Sequence, residues 1–129
     1  MPSCIKPLSI LVADDEPGIR VMLCDWLDRD GHRVACAESG HEASRLMKQQ
    51  HFDIVIADVL MPDGDGFELI AESKKTQPDT RIIAISGGGR YLHGSECLKV
   101  ATGLGAHAAV LKPFSIAQLL DSIDDVVTH

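Results

Sequence analysis

The sequence predicts an α/β fold, a doubly wound five-stranded parallel sheet with helices on both faces. Apolar runs of four to six residues alternate five times with segments of three-and-four apolar spacing, the signature of strands and helices taken in turn. The central runs are continuous and rich in β-branched residues, as strands covered on both faces must be. Right-handed crossovers then close such a chain as a doubly wound sheet.

The first strand is expected at Leu8 to Ala13, running into Asp14-Asp15-Glu16. Pro17 opens a helix where its missing N–H costs nothing. Ile19, Met22, Leu23, Trp26 and Leu27 form its apolar face, and Asp30-Gly31 stops it. Arg33 to Ala37 is a weaker strand, and Ser39-Gly40 caps a helix carrying Ala43, Leu46 and Met47. Ile54 to Ala57 is the central strand, ended by Asp58 and followed by the loop signature Met61-Pro62-Asp63-Gly64. Asp65 is placed to cap a helix with Phe67, Leu69, Ile70 and Ala71 that ends before Pro78. Arg81 to Ile85 delivers Ser86 into Gly87-Gly88-Gly89, and Glu96 to Leu104 reads as a helix with Leu98, Ala101 and Leu104 inward. Ala108 to Leu111 leads to Lys112-Pro113-Phe114. Ser115 caps a last helix striped by Ile116, Leu119, Leu120, Ile123, Val126 and Val127.

At 129 residues, 45% hydrophobic and 24% charged, the chain has the composition of one soluble globular domain. Its core is expected over about residues 8–127 of 1–129, with no repeat, linker or output module. No apolar run approaches the roughly 20 residues of a membrane span, and Met1 to Lys6 lacks the basic and apolar regions of a secretory signal. A cytoplasmic protein with no membrane partner is expected. The formal net charge of −7 opposes direct nucleic-acid binding, whose main attractive term is cationic. Cys4, Cys24, Cys36 and Cys97 show no C-x-x-C pair, so reduced, partly buried thiols are expected in place of a zinc site or a disulfide framework. The six histidines are scattered with no H-E-x-x-H and read as ordinary surface or core residues.

The chemistry gathers at the strand ends. Asp14 and Asp15 follow the first strand, Asp58 the third, Ser86 the fourth and Lys112 the fifth. Singly, each reads as a turn or a helix entry. In a parallel sheet all carboxyl ends share one rim, where open α/β sheets bind their ligands. Three carboxylates crowded there need a cation, and a hard oxygen-seeking ion such as magnesium, with manganese as a substitute, suits them. Asp58 is then expected to attack phosphorus as a carboxylate nucleophile, giving an aspartyl phosphate. Lys112 and Ser86 would offset charge on the phosphoryl oxygens, and backbone N–H groups near Leu60 and Gly87 would complete a cradle.

The stretches LVADDE (11–16), DIVIADVLMPDGDG (53–66), AISG (84–87) and LGAHAAVLKPF (104–114) resemble the receiver domain of bacterial two-component response regulators, over nearly the whole chain. The resemblance implies a flavodoxin-like three-layer sandwich with strand order 2-1-3-4-5. It implies Asp58 as phosphoacceptor, Asp15 as a direct magnesium ligand, Asp14 as its partner in an acidic pocket and a carbonyl ligand from Leu60. It also implies a switch hydroxyl at Ser86 and a phosphate-pairing Lys112. The phosphodonor would be a sensor histidine kinase, a histidine phosphotransfer protein or a small donor such as acetyl phosphate. The first helix would meet the donor, and the region from the fourth helix through the fifth would meet an unidentified output protein or a second copy. The chain is thus expected to be a single-domain response regulator, a switch whose only chemistry is on itself, and not an enzyme.

Three features depart from the family pattern. Ala109 stands three residues before the lysine, where many members carry the Tyr or Phe whose rotation reports phosphorylation. The segment from Ser86 to the helix end at Leu104-Gly105 is a few residues longer than usual and holds the glycine-rich stretch 87–94. Phosphate capture by Ser86 is expected to order residues 87–95 and let Tyr91 or Arg90 alter the surface. Leu60 and Gly88 offer no side chain to position a hydrolytic water. Two alternatives use the same residues. A magnesium-dependent phosphatase with Asp58 as nucleophile would need an acid where Leu60 stands, and a degenerate scaffold would not need the full acid, serine and lysine set. A flavin protein of this fold would want hydroxyl and amide donors where the first loop holds acids.

Overall fold

In a computed structural model, which describes residues 7–59, 61, 66–86 and 94–128, strands and helices alternate in the predicted order. They are β1 (Ser9–Ala13), α1 (Pro17–Arg29), β2 (Arg33–Ala37), α2 (Gly40–Gln49), β3 (Ile54–Asp58), α3 (Gly66–Thr76), β4 (Arg81–Ser86), α4 (Gly94–Leu104), β5 (Ala108–Leu111) and α5 (Ile116–Thr128). The strands form one sheet in the order β2-β1-β3-β4-β5, every neighbouring pair parallel.

Alternate residues of each strand feed opposite layers. Ile10, Val12, Ile54, Ile56, Ile83 and Ile85 pack under α1 and α5, against Leu23, Leu27, Leu119 and Ile123. From the other face, Leu11, Ala13, Val55 and Ala57 meet Ala43 and Met47 of α2 and Leu69 of α3. Ile82 and Ala84 meet Ile70 and Ala101 of α3 and α4. All five residues of β3 are buried, which is why its sequence reads as an uninterrupted apolar run up to Asp58.

Local polar bonds set the helix starts. Ser39 Oγ accepts from the Glu42 N–H (3.1 Å) at the head of α2. At α5, Ser115 Oγ accepts from the Gln118 N–H (3.1 Å) while Gln118 Oε1 accepts from the Ser115 N–H (2.8 Å), a reciprocal capping box. The amino-terminal end of the sheet is tied by side chains. Asp53 Oδ2 accepts from the Ser9 N–H (2.8 Å), Gln77 Nε2 donates to the Met47 carbonyl (2.7 Å) and Thr80 Oγ1 donates to the Phe52 carbonyl (2.7 Å). Buried His32 accepts the Leu8 N–H at Nδ1 (3.1 Å) and meets Asp30 through Nε2 (3.1 Å), a core histidine as expected.

Several expectations are corrected. Helix α4 begins at Gly94 and not at Glu96. Leu104, read as inward, and Val127, read as part of the buried stripe, are 38% and 45% exposed; each lies in the last turn of its helix and turns away from the core, which takes Ala101 and Val126 instead. Cys24 and Cys36, read as reduced thiols, are joined as a disulfide, because α1 returns alongside β2 and brings residues 12 apart in sequence face to face. The proposed Asp65 cap and Leu98 contact lie outside the described residues. Among the described residues no helix is long and apolar enough to cross a membrane.

Candidate functional site

The carboxyl ends of β1, β3, β4 and β5 converge as the parallel order requires. Asp14 follows β1 directly, and its N–H donates to the Ala37 carbonyl at the end of β2 (3.1 Å). The Asp14 carbonyl accepts from the Arg20 guanidinium on α1 (2.8 Å), and its Oδ1 accepts from the Glu16 N–H (2.9 Å). Asp58 closes β3 in register with Ile85. Ser86 closes β4, fully buried, and its carbonyl accepts the Lys112 N–H (2.9 Å). Lys112 leaves the end of β5, followed by a cis bond to Pro113.

The Lys112 ammonium is the hub. Its Nζ lies 3.1 Å from Asp14 Oδ2, 3.1 Å from Asp58 Oδ2 and 2.9 Å from Glu16 Oε1. Burial alone would lower its affinity for a proton, but hydrogen bonding to Glu16 and the charges of Asp58 and Asp14 overcome that and hold it ionised beyond the usual lysine range. Asp14 is pushed the other way. Burial, reinforced by the Asp58 charge, raises its carboxyl above the ordinary value, against the opposing pull of the Glu16 N–H and Lys112. Asp14 Oδ2 is buried without a hydrogen bond of good geometry; its contact with Lys112 is ionic.

The carboxylate oxygens of Asp14, Glu16 and Asp58 lie within 4.8 Å of one another. Three carboxylates around one ammonium leave a formal charge of −2, that of one divalent cation, and the donors are all hard oxygens. The residues therefore fit magnesium or manganese. A buried acid with one oxygen outside any hydrogen bond is the feature that such an ion would satisfy.

The comparisons with known proteins agree with this geometry. A model of the response regulator receiver domain matches residues 10–124. The chain belongs to that family. Receiver domains are the phosphorylation-linked signalling domains of two-component systems. This one is 36% identical over 123 residues to the transcriptional regulatory protein GlrR of Escherichia coli K12, covering 95% of this chain and 27% of that protein. The receiver chain thus spans about a quarter of that regulator's length. It is 32% identical over 118 residues to the chemotaxis protein CheY of Thermotoga maritima, covering 91% of this chain and 95% of that one. The solved structure of chemotaxis protein CheY4 of Vibrio cholerae superposes with a TM-score of 0.82 at 28% identity, over 93% of this chain and 98% of that one.

Of the residues named from the sequence, Asp14, Asp58 and Lys112 meet directly, and Ser86 lies on the same rim one position past the Asp58 register partner. Asp15 is half-buried and is not among the three acids whose oxygens converge. Leu60, Gly87 and the 87–93 stretch, which carry the predicted carbonyl ligand and ordered loop, lie outside the described residues. Ala109 is exposed on the edge strand β5. Sequence reasoning passed over Glu16 and Arg20. Glu16 stood beside the two acids, and Arg20 one turn into the helix, yet neither partner is evident until α1 is laid over the sheet.

Proposed function

We propose that Asp58 accepts a phosphoryl group from a phosphohistidine and that the modified receiver changes its affinity for an output partner. The observation that carries this is the buried Asp58 carboxylate, set 3.1 Å from the Lys112 ammonium at the open end of a central strand. An Asp58 oxygen forms the new bond to phosphorus as the phosphorus–nitrogen bond of the donor breaks, and the imidazole leaves with that electron pair. Lys112, already aimed at Asp58 Oδ2, is placed to pair with a phosphoryl oxygen as charge develops there, and the Ser86 hydroxyl is the second partner. A magnesium or manganese ion, held by Asp14 and Asp58 with Asp15, Glu16 and the Leu60 carbonyl as further ligands, would supply positive charge to the same oxygens. Glu16 keeps Lys112 charged and pointed inward until the phosphoryl group competes for it.

A groove of about 440 Å³ opens beside Lys112, lined by Ile19 and Met22 of α1 and by Pro113 and Phe114. It suits an apolar helix carrying the donor histidine, a sensor kinase or a phosphotransfer protein in the cytoplasm. These properties belong to the receiver unit, whether it stands alone or is joined to other domains.

Intact-mass measurement after incubation with acetyl phosphate and magnesium tests the reading. The expected result is one added phosphoryl group on the native chain and none on the Asp58→Asn chain. An unmodified native chain at every early time point would overturn it.

A further inference from the structure

The disulfide lies where the seat of Asp14 is built. Cys24 is one helical turn beyond Arg20, the residue whose guanidinium holds the Asp14 carbonyl (2.8 Å). Cys36 immediately precedes Ala37, whose carbonyl holds the Asp14 N–H (3.1 Å), and it pairs across the sheet with Val12, two residues before Asp14. Both backbone groups of Asp14 are therefore held by neighbours of the two bonded cysteines. The bond closes a ring that runs from Cys24 through Arg20, Asp14 and Ala37 to Cys36. We propose that Cys24 and Cys36 form a reversible thiol–disulfide site whose state sets how firmly Asp14 is held.

The surroundings favour exchange. Cys36 is exposed on an edge strand and Cys24 is half-buried. Both line an open groove of about 430 Å³ with Arg20, Val21, Asp25 and Val34, wide enough for a small thiol or disulfide to reach the sulfurs. The Cα atoms stand 7.0 Å apart, just beyond the usual disulfide span of about 4.4–6.8 Å. In a reducing cytoplasm such bonds are usually transient and regulatory. Closure by a small disulfide oxidant joins the two sulfurs, and the two thiol protons pass to the two thiols released from that oxidant. A dithiol reverses it, returning both protons to the cysteines and leaving as a cyclic disulfide.

The holding of Asp14 is independent of the function proposed above; its effect on phosphoryl capture rests on that function. The full chain is compared after oxidised glutathione and after dithiothreitol, with Cys36→Ser as the form that never closes. After oxidation, non-reducing trypsin digestion is expected to give one linked pair of peptides, residues 21–29 and 34–45, lost on reduction. Amide hydrogen exchange over residues 12–16 is expected to be about tenfold slower in the closed form, and magnesium-dependent beryllofluoride binding several-fold tighter. The Cys36→Ser chain should match the reduced form under both treatments. No linked peptides, or identical exchange over 12–16 in both states, overturns the proposal. Changed exchange with unchanged beryllofluoride affinity overturns its coupling to the pocket. No beryllofluoride binding in any state counts against the function reading, with hydrogen exchange still deciding the clip.

Discussion

A single methyl group at Gly66 should disturb both the fold and the site. Gly66 opens α3 directly behind Asp58. A Cβ built there would run into the Asp58 carbonyl oxygen, lie 2.5 Å from Val59 Cα and lie 2.9 Å from the Asp58 carbonyl carbon. All three are backbone atoms, so no rotamer change relieves the clash. Ordinary contact begins near 3.4 Å, so the start of α3 or the end of β3 must move by about 1 Å, taking buried Leu69 and Ile70 off their partners. Overpacking of this kind costs about 1–3 kcal/mol, which for a domain of this size lowers the thermal midpoint by roughly 3–15 °C. Because the displaced carbonyl is that of Asp58, phosphorylation by acetyl phosphate should slow by about ten- to a hundredfold. Calorimetry and timed mass spectra on Gly66→Ala read both effects. Gly103→Ala is the control: it is also helical, but nothing lies within 4 Å of its Cβ position, so it should gain about 0.5–1 kcal/mol. A Gly66→Ala chain with native midpoint and native phosphorylation rate would refute the packing account.

Two further outcomes follow from charge and burial. Asp14 has its carboxyl raised above 3.8, first by burial and then by the Asp58 charge, so its ionised form is a penalty at neutral pH that is relieved as pH falls through the raised value. Asp14→Asn should therefore raise the metal-free thermal midpoint by a few degrees, since Lys112 keeps Asp58 and Glu16. Added magnesium should narrow the gap, and a lower metal-free midpoint for the variant would contradict this. His107 accepts the Ile82 N–H at Nδ1 (3.0 Å), and burial, with Lys74 and Arg81 nearby, depresses it below 6.5. The unfolded chain takes the proton first, so this contribution is whole above about pH 6.5 and is lost as pH falls through the lower folded value. Urea midpoints measured from neutral to mildly acidic pH should drop more for the native chain than for His107→Gln; parallel curves would remove the effect.

Much of this was legible in the residues because burial writes itself into composition. Strand β3 is enclosed on both faces and therefore has no polar alternation, and Asp58 is conspicuous as the acid that ends it. The same parallel order that hides the strands gathers their ends, so the meeting of Asp14, Ser86 and Lys112 on one rim is legible from topology alone. What stayed hidden depends on how a helix lies across its neighbours. Glu16 reaches Lys112 across 96 positions of sequence, and Cys24 finds Cys36 only because α1 packs beside β2. Periodicity marks the apolar stripe of a helix but not its exact edges, hence exposed Leu104 and Val127 beside buried Ala101 and Val126.

The ties at the opposite end of the sheet have a consequence for signalling. With Asp53, Gln77 and Thr80 bolting the strand beginnings to the chain around them, β1 and β3 have no freedom to slide in register when charge arrives at their far ends. If Asp58 takes the phosphoryl group proposed above, the added dianion is felt laterally, by the helix heads around the rim. The domain works like a vice with a fixed lower jaw: what is gripped at the top displaces only the top.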